Sequence, residues 1–458
     1  MNGLCVCRRV FLKTKQFKNW MEAKQDYAFI DIWIIDLFGK IRHVTLPSSY
    51  VSDEVMQNGI GFDASNLKLA DVTNSDLVIK PDLSTAFEDP FAPVKTLNVM
   101  GTIYQFNTKM EAELFPYDTR IMLQHTTRLL QQNGHADSLQ VLPELEFYIF
   151  DQMDVSTNQD EAFFAYCSDE KHLQAGKGYH LSKPFDKLAD LRAEIVMHLL
   201  ALGVPVKYHH HEVGFPGQCE IELDFQEALQ AADAIVTAKY IIHNLAVKHG
   251  KVVNFMPKPI YGMPGSGMHL HMFLSDNKGT SLFFDRNGEY RLSQLAWHYM
   301  GGVLLHLPAL MAFSNPSTNS YKRLIPGYEA PCNKSFAKSN RDASIRIPAY
   351  TPLEETRFEL RTADALANPY YTLSAILLAG MDGIKHQIDP HDKEAIRIEE
   401  TTPHSLISAM ESLLRDRAFL KPIMSDAFLE TWKKQKLLEA NKCTYYPNPA
   451  EFETYLDY

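Results

Sequence analysis

The stretch Val141-Leu-Pro-Glu-Leu-Glu-Phe-Tyr-Ile-Phe150 decides how this chain is read. Period-2 alternation sets Glu144 and Glu146 on one face of a strand and Leu145, Phe147 and Ile149 on the other. A half-exposed strand with a solvated polar side accounts for one such pattern. The pattern recurs, however, with unusual chemistry. Glu220, Glu222 and Asp224 share a face in Glu220-Ile-Glu-Leu-Asp-Phe225, His269 and His271 do so in Met268-His-Leu-His-Met272, and Arg357, Glu359 and Arg361 do so in Arg357-Phe-Glu-Leu-Arg361. A merely solvated face would also carry Thr, Ser, Lys and Gln. These faces carry mainly Glu, His and Arg, the residue types that bind cations and phosphates. Like charges at adjacent same-face positions destabilise a sheet unless something neutralises them. The four strands are therefore expected to line one polar site.

Carboxylates with a single imidazole suit Mg²⁺ or Mn²⁺ better than zinc, which more often takes several Cys or His. Arginines beside such ions point to phosphate, and the combination is what phosphoryl transfer needs. The chain contains neither G-x-x-x-x-G-K-[ST] nor G-x-G-x-x-G, so nucleotide binding is expected through neither a P-loop nor a Rossmann turn. Gly262-Met-Pro-Gly-Ser-Gly-Met-His269 reads as a tight turn or as a close backbone approach to a ligand, entering the histidine strand. Of His209, His210 and His211, at least one is expected to be structural, because three consecutive side chains cannot all face one ligand.

Outward from these motifs, the 458 residues allow two to three domains, or one small and one large. A net charge of −11 repels phosphate backbones and argues against a nucleic-acid partner. The six cysteines, at positions 5, 7, 167, 219, 332 and 443, show no zinc or disulfide spacing and fit reduced thiols in a cytoplasmic protein. The longest apolar stretch, residues 300–313, is broken by His306 and Pro308 and falls short of the roughly 18 residues a membrane span needs, so no membrane partner is expected. Phe29-Ile-Asp-Ile-Trp-Ile-Ile-Asp36, Gly39 and residues 41–46 read as a hairpin, while residues 118–131 and 186–202 carry helical periodicity. The class is α+β, a small β-rich N-terminal domain before a large α+β domain. The expected divisions are an extension over 1–26, a small domain over 27–114 and a large one over 115–458.

Several motifs in order resemble the bacterial type I glutamine synthetase family: Glu144-x-Glu146, His210-His-Glu-Val213 with Gly217-Gln-x-Glu-Ile221, Gly265-Ser-Gly-Met-His269, the run from Asn315-Pro to Glu329-Ala-Pro331, Asn340-Arg-x-Ala-Ser-Ile-Arg346, and Glu359-x-Arg361. The likeness extends from about residue 27 to the C-terminus. It implies a β-grasp domain, a catalytic domain on a curved antiparallel sheet, and a dodecamer of two hexameric rings with active sites between subunits. It also implies ATP as co-substrate, two or more Mg²⁺ or Mn²⁺ per site, and glutamate and ammonium as substrates. Ligands for one metal would be Glu146, Glu212 and Glu220, and for the other Glu144, His269 and Glu359. Arg323 and Arg361 would hold glutamate beside Gly265, and Arg341 and Arg346 would face the transferred phosphoryl group. Glu329 would close over glutamate, Asp63 would take a proton from ammonium with Tyr179 and Glu212 nearby, and His271 and Phe225 would lie by the nucleotide.

Some positions depart from the family pattern. Pro264 replaces a common Asn, Asn66 replaces a Ser, a usual Trp is missing near residues 69–71, Phe273 replaces a Ser, and the adenylylated loop after Gly383 is absent. Every metal ligand is kept, which argues against a catalytically dead relative, and retention of Asp63, Tyr179 and Glu212 makes glutamine formation the first reading. A γ-glutamyl ligase for a polyamine, methylamine or ethanolamine is the second, and a non-catalytic structural or sensing relative is the third.

Overall fold

The computed structural model describes residues 17–67, 75–158, 160–170, 177–396 and 401–456. The expectations for most of the N-terminal extension and for residues 69–71 fall outside these, as does the Asn66 side chain. The chain divides into two compact units. One comprises residues 1–34, 41–115 and 194–206, and the other comprises residues 35–40, 116–193 and 207–458.

The first unit is built on a six-stranded sheet of β1 (Phe29–Ile35), β2 (Ile41–Pro47), β3 (Ile60–Asp63), β4 (Asp76–Glu88), β5 (Thr96–Phe106) and β6 (Ala112–Leu114). Its order is β2-β1-β5-β4-β3, with β6 also on β5. The pair predicted over residues 29–46 is present as β1 and β2, but β1 also pairs in parallel with β5, Ile30 opposite Leu97 and Ile32 opposite Val99. That long-range pairing buries Ile30, Ile32, Leu97 and Val99 almost completely. Each such side chain contributes about 1.5–3 kcal/mol.

The second unit carries β7 (Ser138–Phe150), the hairpin β8 (Gln152–Thr157) with β9 (Ala162–Cys167), β10 (Val206–His211), β11 (Gln218–Leu223), the short β12 (Gln226–Glu227) and β13 (Val252–Asn254), β14 (Met268–Ser275), β15 (Asn333–Lys338), β16 (Ala343–Ile347) and β17 (Phe358–Leu360). Nine of these form one sheet ordered β10-β11-β7-β14-β17-β16-β15, with β12 and β13 on β7. The pairing is antiparallel from β11 across to β16, whereas β15 runs parallel to β16. The strands singled out by their Glu, His and Arg faces are consecutive neighbours, β11-β7-β14-β17.

Helices cover the apolar face. The helix Ala228–Lys248, which buries Ala231, Ile235 and Ile242 among others, packs against β7, where Leu145, Phe147 and Ile149 are buried. The helix predicted over 118–131 spans Thr119–Gln132 and starts on Asp118, whose side chain accepts from the Ile121 N–H. The second predicted helix spans Ala189–Ala201. Residues 300–313 form parts of two buried helices, Gln294–Leu305 and Leu307–Ser314, broken at His306. Among the described residues, no helix is long and apolar enough to cross a membrane.

His306 is buried at that break, 2.8 Å from Asp416 Oδ2 and 3.1 Å from Asp382 Oδ2, with its ring stacked on Phe419. Burial opposes its protonation, but the two aspartates prevail and raise its pKa above 6.5. Asp382 is shared with His386, 3.2 Å away. A raised folded-state pKa gives stability that is fully present below the unfolded value and lost as pH climbs through the folded one. His306→Gln should therefore lower the unfolding temperature at pH 6 by about 1–3 °C. In thermal melts, the gap from wild type should close at alkaline pH. A gap independent of pH would remove the ionic contribution.

Candidate active site

Strand register brings the acids face to face. Glu220 on β11 lies opposite Glu146 on β7, and Glu222 lies opposite Glu144. Across the other edge of β7, Glu144 meets His269, and His271 then meets Glu359 on β17, which in turn meets Arg346 on β16. This polar face is not solvated. Glu359 is fully buried, Glu222 is 1 % exposed, His269 5 % and Glu146 8 %. Burying so many charges on one face is tolerable only where they neutralise one another or hold ions. One expected member leaves the face. β11 ends at Leu223, and Asp224 turns to solvent, its carboxylate accepting from the Phe225 N–H.

The face opens into a cavity of about 450 Å³. Among its walls are Glu144, Glu146, Glu212, Glu220, His269, Glu359, Tyr179, Gly265, Arg323, Glu329, Arg341, Arg346 and Arg361. His271 stands beside them, its Nε2 2.8 Å from Glu144 Oε1, while His269 Nδ1 is 2.7 Å from Glu144 Oε2. Phe225 does not line the cavity. Its ring packs against Phe273 and beneath the Arg357 guanidinium, whose Nε donates to His271 Nδ1. Asp63 is the last residue of β3 in the first unit, exposed, with its carboxyl held below the usual range by the hydrogen bond from the Ser65 N–H.

Close backbone approach explains the glycines. A Cβ on Gly265 would collide with the Pro257 carbonyl and the Arg323 side chain, and one on Gly267 would strike Arg323 and His269. The Gly267 N–H donates to Glu146 Oε2 at 2.7 Å. The turn is anchored on the Gln218 amide, which donates to Gly265 O, and on the Tyr148 hydroxyl, which donates to Pro264 O. Arg323 is buried, with its guanidinium donating to the carbonyls of Thr362, Ala363 and Arg361 and its NH2 3.2 Å from His269 Nε2.

Two electrostatic halves emerge. Burial pushes Glu144 and Glu359 toward neutrality, but the histidines outweigh it, with Arg361 adding to the effect at Glu359, and both carboxyls sit below the usual range. Arg346 and Arg361 each hold one oxygen of Glu359. In the other half the Val213 N–H and Arg341 only partly offset the acids at Glu212. Burial, followed by Glu146, pushes Glu212 up to about 7, and burial with Glu144, Glu146 and Glu212 also raises Glu220 well above the usual carboxyl range. This deficit of positive charge, on hard oxygen donors, fits divalent cations.

Three compact donor groups occur among the described residues: Glu144 with His271 and Glu359 in one half, His210 with Glu212 and Glu220 in the other, and Glu144 with Glu220 and Glu222 between them. His210 is the residue that sequence reasoning left unassigned. Its Nε2 lies 3.5 Å from Glu220 Oε1, whereas its neighbour His211 is fully buried and bonded to Glu170. The signal lay in strand alternation along β10, which turns His210 and His211 to opposite faces.

Fold and site together bring a carboxylate–imidazole face, whose donors suit divalent cations, into one cavity with arginines, whose chemistry suits phosphate. The family model "Glutamine synthetase, catalytic domain" matches residues 116–455, and "Glutamine synthetase, beta-Grasp domain" matches residues 26–106. Glutamine synthetase of Aquifex aeolicus is 37% identical over 460 residues, covering 95% of this chain and 97% of that one, and the Streptomyces coelicolor protein of the same name is 39% identical over 465 residues, with the same coverage. Plasmodium falciparum glutamine synthetase superposes with a TM-score of 0.88 at 25% identity, over 97% of this chain and 100% of that one. Ligand-free GmaS superposes at 0.81 and 28% identity, over 95% of this chain and 98% of that one. The chain belongs to the glutamine synthetase family and is an ATP-dependent ligase with that family's β-grasp and catalytic domains.

Proposed function

We propose that the protein joins glutamate to ammonium at the expense of ATP, forming glutamine, ADP and phosphate. The observation that carries this reading is the largely buried sheet face of Glu144, Glu146, Glu220 and Glu359 with His269, which lines one cavity together with arginines 341, 346 and 361. The glutamate γ-carboxylate attacks the γ-phosphorus of ATP, the bond to the β-phosphate oxygen breaks, and ADP leaves. Ammonium loses a proton to Asp63 or Glu212, and the resulting ammonia attacks the acyl carbon and expels phosphate. Glu146, Glu212 and Glu220, with His210, would hold one Mg²⁺ or Mn²⁺, and Glu144, Glu359 and the histidines the other. The cations supply charge neutralisation for phosphate oxygens. Arg341, half exposed at the mouth, reaches the phosphoryl group, and Arg361 and Gly265 position glutamate. Glu329, 3.9 Å from Arg341, covers the acyl phosphate and excludes water.

Placing Asp63 at a neighbouring subunit's site makes the working unit a ring, and we read the assembly as a dodecamer in the cytoplasm. A specific difference favours a second nucleophile class. Pro264 at the cavity wall offers no side-chain hydrogen bond where the family commonly has an Asn, a change beside the glutamate site that keeps an organic amine as the second reading. Purified protein assayed for ADP release with ammonium, methylamine, ethanolamine, putrescine and spermine separates the two. The highest kcat/KM is expected with ammonium. A higher value with any organic amine reassigns the nucleophile, and silence with all five while ATP still binds removes the enzymatic reading.

A further inference from the structure

Residues 324–331 run along the mouth of the cavity, and among the described residues no backbone–backbone hydrogen bond reaches positions 326–331. The segment also stores strain at Glu329, held at φ 53°, two residues after Gly327, which takes φ 91° freely. A non-glycine residue in that region costs about 1–2 kcal/mol. Something other than its own backbone must hold it. The Lys258 ammonium sits 3.7 Å from the centroid of the Tyr328 ring, the residue next to Glu329. Lys258 itself is 9 % exposed and tightly set. Its Nζ donates to Met263 O, its N–H donates to Asn319 Oδ1 at 2.7 Å, and its carbonyl accepts from Asn319 Nδ2 at 3.0 Å. The preceding carbonyl, of Pro257, accepts from the Ser266 N–H inside the glycine turn. A desolvated cation on a tyrosine face is thus fixed to the same turn that approaches Arg323.

We propose that Lys258 is a positioning residue, a cation–π latch that grips Tyr328 and so sets Glu329 over the cavity mouth. Its catalytic consequence rests on the reading above. A loop released from the latch admits water to the γ-glutamyl phosphate. Water then adds to the acyl carbon, phosphate leaves, and glutamate is regenerated without an amide.

The test uses full-length protein with Lys258→Met, Lys258→Arg, Tyr328→Phe, Tyr328→Leu and the double variant Lys258→Met/Tyr328→Leu. Two readouts are taken: hydrogen exchange of the 327–330 amides without substrates, and phosphate released per amide formed. Lys258→Met and Tyr328→Leu should each raise exchange in that segment about fivefold, and the double variant should add little beyond either. Tyr328→Phe and Lys258→Arg, which keep a ring and a cation, should stay close to wild type. The phosphate-to-amide ratio should rise above one in the same variants that loosen the loop. Additive effects in the double variant, or exchange raised equally throughout the sheet in Lys258→Met, would overturn the latch. Should wild type form no amide with any amine, the reaction reading fails, and the exchange measurements still decide the latch.

Discussion

Glu146→Gln is expected to lower phosphate release from ATP, glutamate and amine by at least about 10³-fold while leaving the protein folded. The physical case rests on where this carboxylate sits. It faces Glu220 across the β7–β11 pair and lies 3.7 Å from His269. Its charge contributes, after burial, to holding Glu212 near 7 and Glu220 above the usual range. Removing it relieves repulsion in the cation-free protein, so the unfolding temperature should hold or rise slightly. Glutamine is chosen over alanine because its amide oxygen keeps an acceptor for the Gly267 N–H, which would otherwise be left unpaired at about 1–3 kcal/mol. Melting curves with and without Mn²⁺ provide the second readout. Wild type should be stabilised by the ion, because a ligand that binds only the folded state raises apparent stability. The variant should lose most of that increment. Near-normal turnover would sink the metal assignment, and a collapse of the fold would move Glu146 from chemistry to structure.

How much of this was legible in the sequence differs by element. Alternation in β7, β11, β14 and β17 exposed the site because a strand with two buried faces must declare its polar residues, and Glu, His and Arg are too costly to bury without purpose. The same rule failed at Asp224, where the chain leaves β11 after Leu223 and the alternation no longer applies. His210 was hidden by its own neighbours, since three histidines in a row carry no contrast. The Lys207–Glu222 ion pair, which joins β10 to β11, and the parallel pairing of β1 with β5 depend on contacts distant in sequence, to which local periodicity is blind. Phe225 shows the opposite limit. Its packing on Phe273 beneath Arg357 is a geometric fact that residue type alone did not specify.

Two arginines at the same cavity should differ in what their removal does to stability. Arg341→Ala should cut kcat by about 10³-fold with little change in stability. Its side chain is half exposed, its nearest carboxylate, Glu329, lies 3.9 Å away in solvent, and such pairs contribute about 1 kcal/mol or less to stability. Arg361→Ala should instead destabilise the fold by about 3–5 kcal/mol as well as weaken glutamate binding. The Arg361 NH1 donates at 2.6 Å to Glu359, a carboxylate with no exposure at all, and its Nε donates to the Arg341 carbonyl. Truncation therefore leaves Glu359 with Arg346 and the histidines alone, and opens a void beside the Arg341 main chain. The difference is a matter of what each guanidinium already neutralises. In the proposed mechanism Arg341 would meet charge that develops on a substrate, whereas Arg361 is committed to the Glu359 charge already present. Calorimetry and steady-state kinetics on both variants decide the matter. Equal losses of stability would erase the distinction, and full activity in Arg341→Ala would remove that residue from phosphoryl transfer.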